Sequence, residues 1–153
     1  MKSEQHVSEL KSHVGFWLRF VSNHVSYAFA AKLERTGVTV AEWVILREMY
    51  ESEPSSPSAI AVQTGLTRGA VSKLVDRLFV KELVTRQART DDRRYQSIAL
   101  TATGRRLVPR LAGLADENDR EFFSSLSGKE REALLAILKK LVKAKELQKL
   151  PTD

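Results

Sequence analysis

The chain of 153 residues contains no cysteine, which excludes disulfides, thiolate metal sites and cysteine-based redox sensing together. Only three histidines occur, His6, His13 and His24, and no ligand spacing joins them. No metal and no cofactor is therefore expected. No apolar run approaches the ~20 residues that a bilayer span requires. The opening "MKSEQHVSEL" has neither the basic start nor the apolar core of a secretory signal, so a cytoplasmic location without membrane contact is expected. A Gly-rich phosphate loop and a nucleophile motif are also missing, which argues against an enzyme.

What the chain does have is positive charge in one place. Its net charge is +6. Between Arg68 and Arg110 stand 11 lysines and arginines against Asp76, Glu82, Asp91 and Asp92, a net of +7. The rest of the chain therefore sums to −1. A concentrated cationic block is what a polyanion requires, and nucleic acid is the commonest such partner; a solvated basic surface is the bland alternative.

Hydrophobic periodicity outlines the elements around that block. Val7, Leu10, Val14, Trp17, Val21, His24, Ala28 and Ala31 alternate at spacings of three and four, the seam of a long helix packed against another helix. Phe16, Leu18, Phe20, Val25, Tyr27, Phe29 and Ala30 make its other faces apolar too. Such a helix must be covered on most sides, which implies a second subunit. "TVAE" at Thr39–Glu42 is a capping box opening a second helix with Trp43, Val44, Leu46 and Met49 or Tyr50 as its stripe. Ser56-Pro57 reads as an N-cap followed by proline at the first helical position. "LVTRQA" and "YQSIAL" alternate like strands on either side of the polar "RTDDRR", which predicts a hairpin with a charged tip. Thr101 and Gly104 open a further helix through Leu107, Leu111, Leu114 and Ala115. "SGKE" at Ser127–Glu130 opens the last, with Leu134, Ile137, Leu138, Leu141 and Val142 on one face.

The stretch "AVQTGLTRGAV" at Ala61–Val71 carries the most specific signal. Counted from Pro57, Ala61 is fifth, Gly65 ninth, Val71 fifteenth and Leu74 eighteenth. A helix-turn-helix wants a small residue, a residue free to take positive φ and branched apolar residues at those places. Ile60 and Leu66 complete its small core, and Thr67 caps the second helix. That helix turns Val71, Leu74, Val75 and Leu78 inward and leaves Thr67, Arg68, Ala70, Ser72, Lys73 and Arg77 outward. Short polar side chains and an arginine on the first turns suit the edges of bases in a major groove. Arg86, Arg89, Arg93 and Arg94 in or beside the hairpin suit the narrow minor groove, with Asp91 and Asp92 near enough to hold a guanidinium. Intramolecular ion pairs in a solvated turn are the alternative there.

These residues carry a family resemblance. "TVAEWVIL", "LTRGAVSKLVDRL" and "DDRRYQSIALTATG", in that order, resemble the MarR (multiple antibiotic resistance regulator) family over roughly Val14 to Lys145. The tip motif is carried by Asp92, Arg94, Ile98, Leu100, Thr101 and Gly104. The resemblance implies a mostly α fold with a small β-hairpin, a winged helix-turn-helix flanked by N- and C-terminal dimerisation helices. It implies a dimerisation region of residues 1–38 and 102–153 and a DNA-binding region of residues 39–101. It further implies an obligate homodimer on an inverted-repeat operator, with Arg94 as the wing arginine, ordered by Asp92 and flanked by Arg93. Family members typically repress, and many release DNA on binding a small aromatic or phenolic anion. An aromatic slot with a cation could form from Trp17 and His24, seven apart, with Trp43 and Arg47, four apart. Core packing is the bland reading of those four. A ligand-independent or architectural DNA-binding protein is the alternative function.

Overall fold

The computed structural model describes residues 6–52, 54–88 and 96–147. The elements run α1 Val14–Leu33, α2 Val40–Glu51, α3 Pro57–Thr64, α4 Arg68–Val80, β1 Val84–Ala88, β2 Gln96–Leu100, α5 Ala102–Phe122 and α6 Gly128–Ala144. The expected mostly α fold with one hairpin is the fold found. Among the described residues, no helix is long and apolar enough to cross a membrane.

The helix starts are set by side-chain caps, each worth about 1 kcal/mol. Thr39 and Glu42 form the reciprocal box that opens α2, and Ser127 and Glu130 the one that opens α6. Ser56 accepts from the Ala59 N–H with Pro57 behind it, and Thr101 accepts from the Gly104 N–H. The first helix departs from expectation, because it begins at Val14 rather than Val7. Ser12 Oγ donates to the Glu9 carbonyl at 2.7 Å and Trp17 Nε1 to the Lys11 carbonyl at 2.9 Å. Carbonyls taken by side chains are lost to a helical ladder, so residues Leu10–Ser12 form only a 3-10 turn.

One core gathers the elements. Ile45, Leu46 and Met49 of α2, Ile60 and Ala61 of α3, and Val71, Leu74, Val75 and Leu78 of α4 are buried together. Leu83 and Val84 close it from the start of the hairpin, and Phe29, Leu33, Val108 and Leu111 from α1 and α5. In α2 the buried stripe falls on Ile45 rather than Val44, which is exposed, and Glu42 joins it. The strands pair antiparallel from Val84 opposite Leu100 to Ala88 opposite Gln96. Ser55, just before α3, adds a bridge to Ile98, exchanging backbone bonds of 2.9 and 2.7 Å. This ties the hairpin to the helix-turn-helix. At the other end, Asn118 Nδ2 donates to the Val25 carbonyl at 3.3 Å and Lys32 to Glu121 at 2.7 Å, fixing α5 on α1. No residue of α6 is buried.

Candidate nucleic-acid interface

The turn between α3 and α4 is made by Gly65, whose φ of 73° lies in the left-handed region, where a Cβ would clash with the neighbouring carbonyl. Its N–H caps the Ala61 carbonyl at 3.0 Å. Two residues later the Thr67 hydroxyl accepts from the Ala70 N–H at 3.0 Å and starts α4. The chain thus stops one helix and begins the next within three residues.

The faces of α4 divide as its sequence does. Val71, Leu74, Val75 and Leu78 are buried, each holding the helix down by roughly 1.5–3 kcal/mol of apolar transfer. Arg68, Ser72, Lys73 and Arg77 are exposed, and Thr67 and Ala70 are half-buried at the start of the helix. Arg68, Lys73 and Arg77 pair with no carboxylate among the described residues, so their charges face solvent.

Arg86 is placed differently from the other basic residues. Its guanidinium donates to Asp76 and lies 4.2 Å from the centre of the Phe79 ring. Asp76 and Phe79 both belong to α4, so Arg86 braces the hairpin against that helix. This brace was not apparent from the sequence; ten residues separate Arg86 from Asp76, and no local pattern joins them. Arg89, Asp91, Asp92, Arg93 and Arg94 lie outside the described residues.

The four residues considered for a ligand each have a neighbour among the described residues. Trp43 stands edge-on to Phe29 with ring centres 6.3 Å apart, and Arg47 donates to Glu51 at 2.9 Å. Trp17 is held by the Lys11 carbonyl, and His24 stacks on Phe20 at 4.4 Å with Nδ1 2.8 Å from the Phe20 carbonyl. A cavity of about 470 Å³ opens where α1 meets α2, beside Tyr27, Glu34 and Val38. Another of about 350 Å³ lies between α5 and α6, beside Phe123 and Leu135. None of the four lines either.

A helix presenting unpaired cations, seated on a short helix and a glycine turn and flanked by a two-stranded hairpin, is a winged helix-turn-helix DNA-binding unit. Residues 36–94 match the model of the MarR family. A curated relative, assigned as a transcriptional regulatory protein for the hcr operon of Thauera aromatica, is 29% identical over 133 residues, 86% of this chain and 80% of that protein. The structure of the S. aureus MepR–DNA complex is similar with a TM-score of 0.79 and 27% identity, over 86% of this chain and 98% of that one. BpsR of Bordetella bronchiseptica, whose DNA binding is regulated by 6-hydroxynicotinic acid, shares the fold with a TM-score of 0.82 and 24% identity, over 89% and 97% of the two chains. Over residues 36–94 the chain thus resembles the MarR family, and along most of its length it is similar to DNA-binding transcriptional regulators.

Proposed function

We propose that the protein is a homodimeric repressor that covers an inverted-repeat operator. Each α4 enters a major groove with Thr67, Arg68, Ala70, Ser72, Lys73 and Arg77 toward the duplex, and each wing brings Arg93 and Arg94, with Asp92, to the adjacent minor groove. Arg86 serves by holding the wing to α4. The observation that carries the reading is the split of α4, four buried apolar residues on one face and free cations on the other.

Dimerisation falls to residues 1–38 and 102–153, and DNA binding to residues 39–101. Support comes from apolar side chains exposed on the first and last helices: Trp17, Phe20, Val21 and Tyr27 on α1, and Leu135, Ile137, Leu141 and Val142 on α6. Large apolar side chains left exposed along two helices mark a surface for association. Selection from random duplex DNA should return an inverted repeat with half-sites about one helical turn, ~10 bp, apart. A protein that remains monomeric at working concentration, or that enriches no symmetric site, refutes this assembly.

Release by a small aromatic or phenolic ligand, with Trp17, His24, Trp43 and Arg47 as contacts, belongs to the same proposal. A ligand-independent regulator is favoured by one observation, that each of those side chains already has a neighbour within its own chain. Gel shifts across a panel of aromatic acids separate the two. Affinity that no compound alters supports the second.

A further inference from the structure

Glu42 is an acid where the core should be apolar. It is 0% exposed, and its Oε1 has no hydrogen-bond partner among the described residues. Its Oε2 accepts from the Thr39 N–H at 3.0 Å and from Lys81 Nζ at 2.7 Å. Lys81 Nζ also donates to the Gly37 carbonyl at 2.7 Å. Lys81 is the C-cap of α4, and its own N–H closes on the Arg77 carbonyl at 3.1 Å. One ammonium therefore fastens the end of α4 both to the corner between α1 and α2 and to the first turn of α2.

Stability is a weak explanation for this arrangement. Glu42 is buried while Lys81 is about one-third exposed; a buried carboxylate gains little over an apolar side chain of the same volume even when paired, and an oxygen without a partner among the described residues makes the balance worse. Directional bonds do something that apolar packing does not, because they fix where a helix end sits. We propose that Lys81 and Glu42 are positioning residues for DNA reading, setting the tilt at which α4 meets the duplex. The lever is long. At 13 residues α4 spans about 20 Å. A tilt of about 5° pivoting at Lys81 would move Arg68 by nearly 2 Å, enough to break a hydrogen bond to a base edge. The inference rests on α4 being the reading helix.

The test compares operator affinity, affinity for unrelated duplex, salt dependence and thermal stability in three variants. Glu42→Gln removes a negative charge from a DNA-binding protein, so charge alone would tighten binding. The positioning role has the opposite sign: operator affinity falls at least fivefold while binding to unrelated duplex stays the same. Lys81→Met weakens operator binding likewise, with the slope of log K against log salt unchanged. The double variant Glu42→Leu with Lys81→Met buries no lone charge and keeps the fold. It loses the Thr39 N–H bond of the capping box as well, so it melts within a few degrees of wild type, yet still loses operator affinity at least fivefold, a separation that a merely structural role would not produce. Full operator affinity in the double variant, or tighter binding by Glu42→Gln, overturns the proposal. So does a Lys81→Met slope reduced by about 0.9, the mark of a direct phosphate contact. A wild-type protein that binds no duplex specifically overturns the DNA-reading role of α4 itself, before any variant is compared.

Discussion

Gly104 sits in the first turn of α5, and a Cβ built on it would lie 2.2 Å from the Leu83 carbonyl oxygen and 3.1 Å from its carbon. Non-bonded heavy atoms settle near 3.5 Å, so Gly104→Ala would push the Leu83 backbone back by more than about 1 Å. That carbonyl accepts from the Thr101 N–H at 3.0 Å, and the Thr101 hydroxyl donates to the Glu82 carbonyl at 2.8 Å. Displacement stretches both bonds past their useful range, at about 1 kcal/mol each. Overpacking adds about 1–3 kcal/mol, and alanine returns at most about 1 kcal/mol of helix propensity. The net expectation is a loss of roughly 2–4 kcal/mol, or about 5–15 °C in melting temperature for a domain of this size. Gly113, further along the same helix, has nothing within 4 Å of its notional Cβ. Gly113→Ala should therefore stabilise by up to about 1 kcal/mol. Urea and thermal denaturation at one fixed protomer concentration read both. A Gly104→Ala variant within about 0.5 kcal/mol of wild type, the scatter of ordinary surface substitutions, would refute the close approach. So would one that shifts in the same direction as Gly113→Ala.

The remaining predictions concern α4 and the caps. Glu82 holds a φ of 59° just past the end of α4, a conformation that costs a side chain about 1–2 kcal/mol. Glu82→Gly should raise the urea midpoint by the equivalent of about 0.5–1 kcal/mol, and an unchanged or lower midpoint counts against it. Arg86→Lys keeps the charge but loses the guanidinium bond to Asp76 in its present geometry and the stacking on Phe79, so operator affinity should fall by about 1 kcal/mol; full affinity in a binding titration would show that the wing needs no brace. Glu130 is held below its ordinary value of 4.5, first by the Ser127 N–H and then by the Ser127 hydroxyl. The unfolded chain then binds the proton more tightly than the folded one, so this contribution is present above pH 4.5 and fades as pH falls through the lower folded value. Glu130→Gln should flatten the acid limb of stability below about pH 4.5, and identical limbs in a denaturation series would contradict it.

Local signals in the sequence carried most of the fold because its elements begin and end locally. Thr39 with Glu42, Ser127 with Glu130, Ser56 with Pro57 and the positive φ of Gly65 are each settled within four residues of chain. The division of α4 is equally local, a period of 3.6 residues. Long-range pairings were not legible. Glu42 read as half of a capping box, and its second bond, to Lys81, spans 39 residues of sequence. Arg86 read as one basic residue among several near the hairpin, and only the fold brings it against Asp76. Gly104 appeared as a motif glycine whose reason, the Leu83 carbonyl, lies on another element. The apolar seam reaches back to Val7 while the helix starts at Val14, because apolar spacing does not register carbonyls captured by Ser12 and Trp17.

The central claim is that the exposed side of α4 reads bases, and Arg68→Ala tests it most directly. Measured by quantitative binding to the selected operator and to each of its single-base variants, Arg68→Ala should cost about 1–3 kcal/mol on the intact site and erase discrimination at one position per half-site. Undiminished affinity, or a uniform loss across all variants with every base preference intact, would contradict the account.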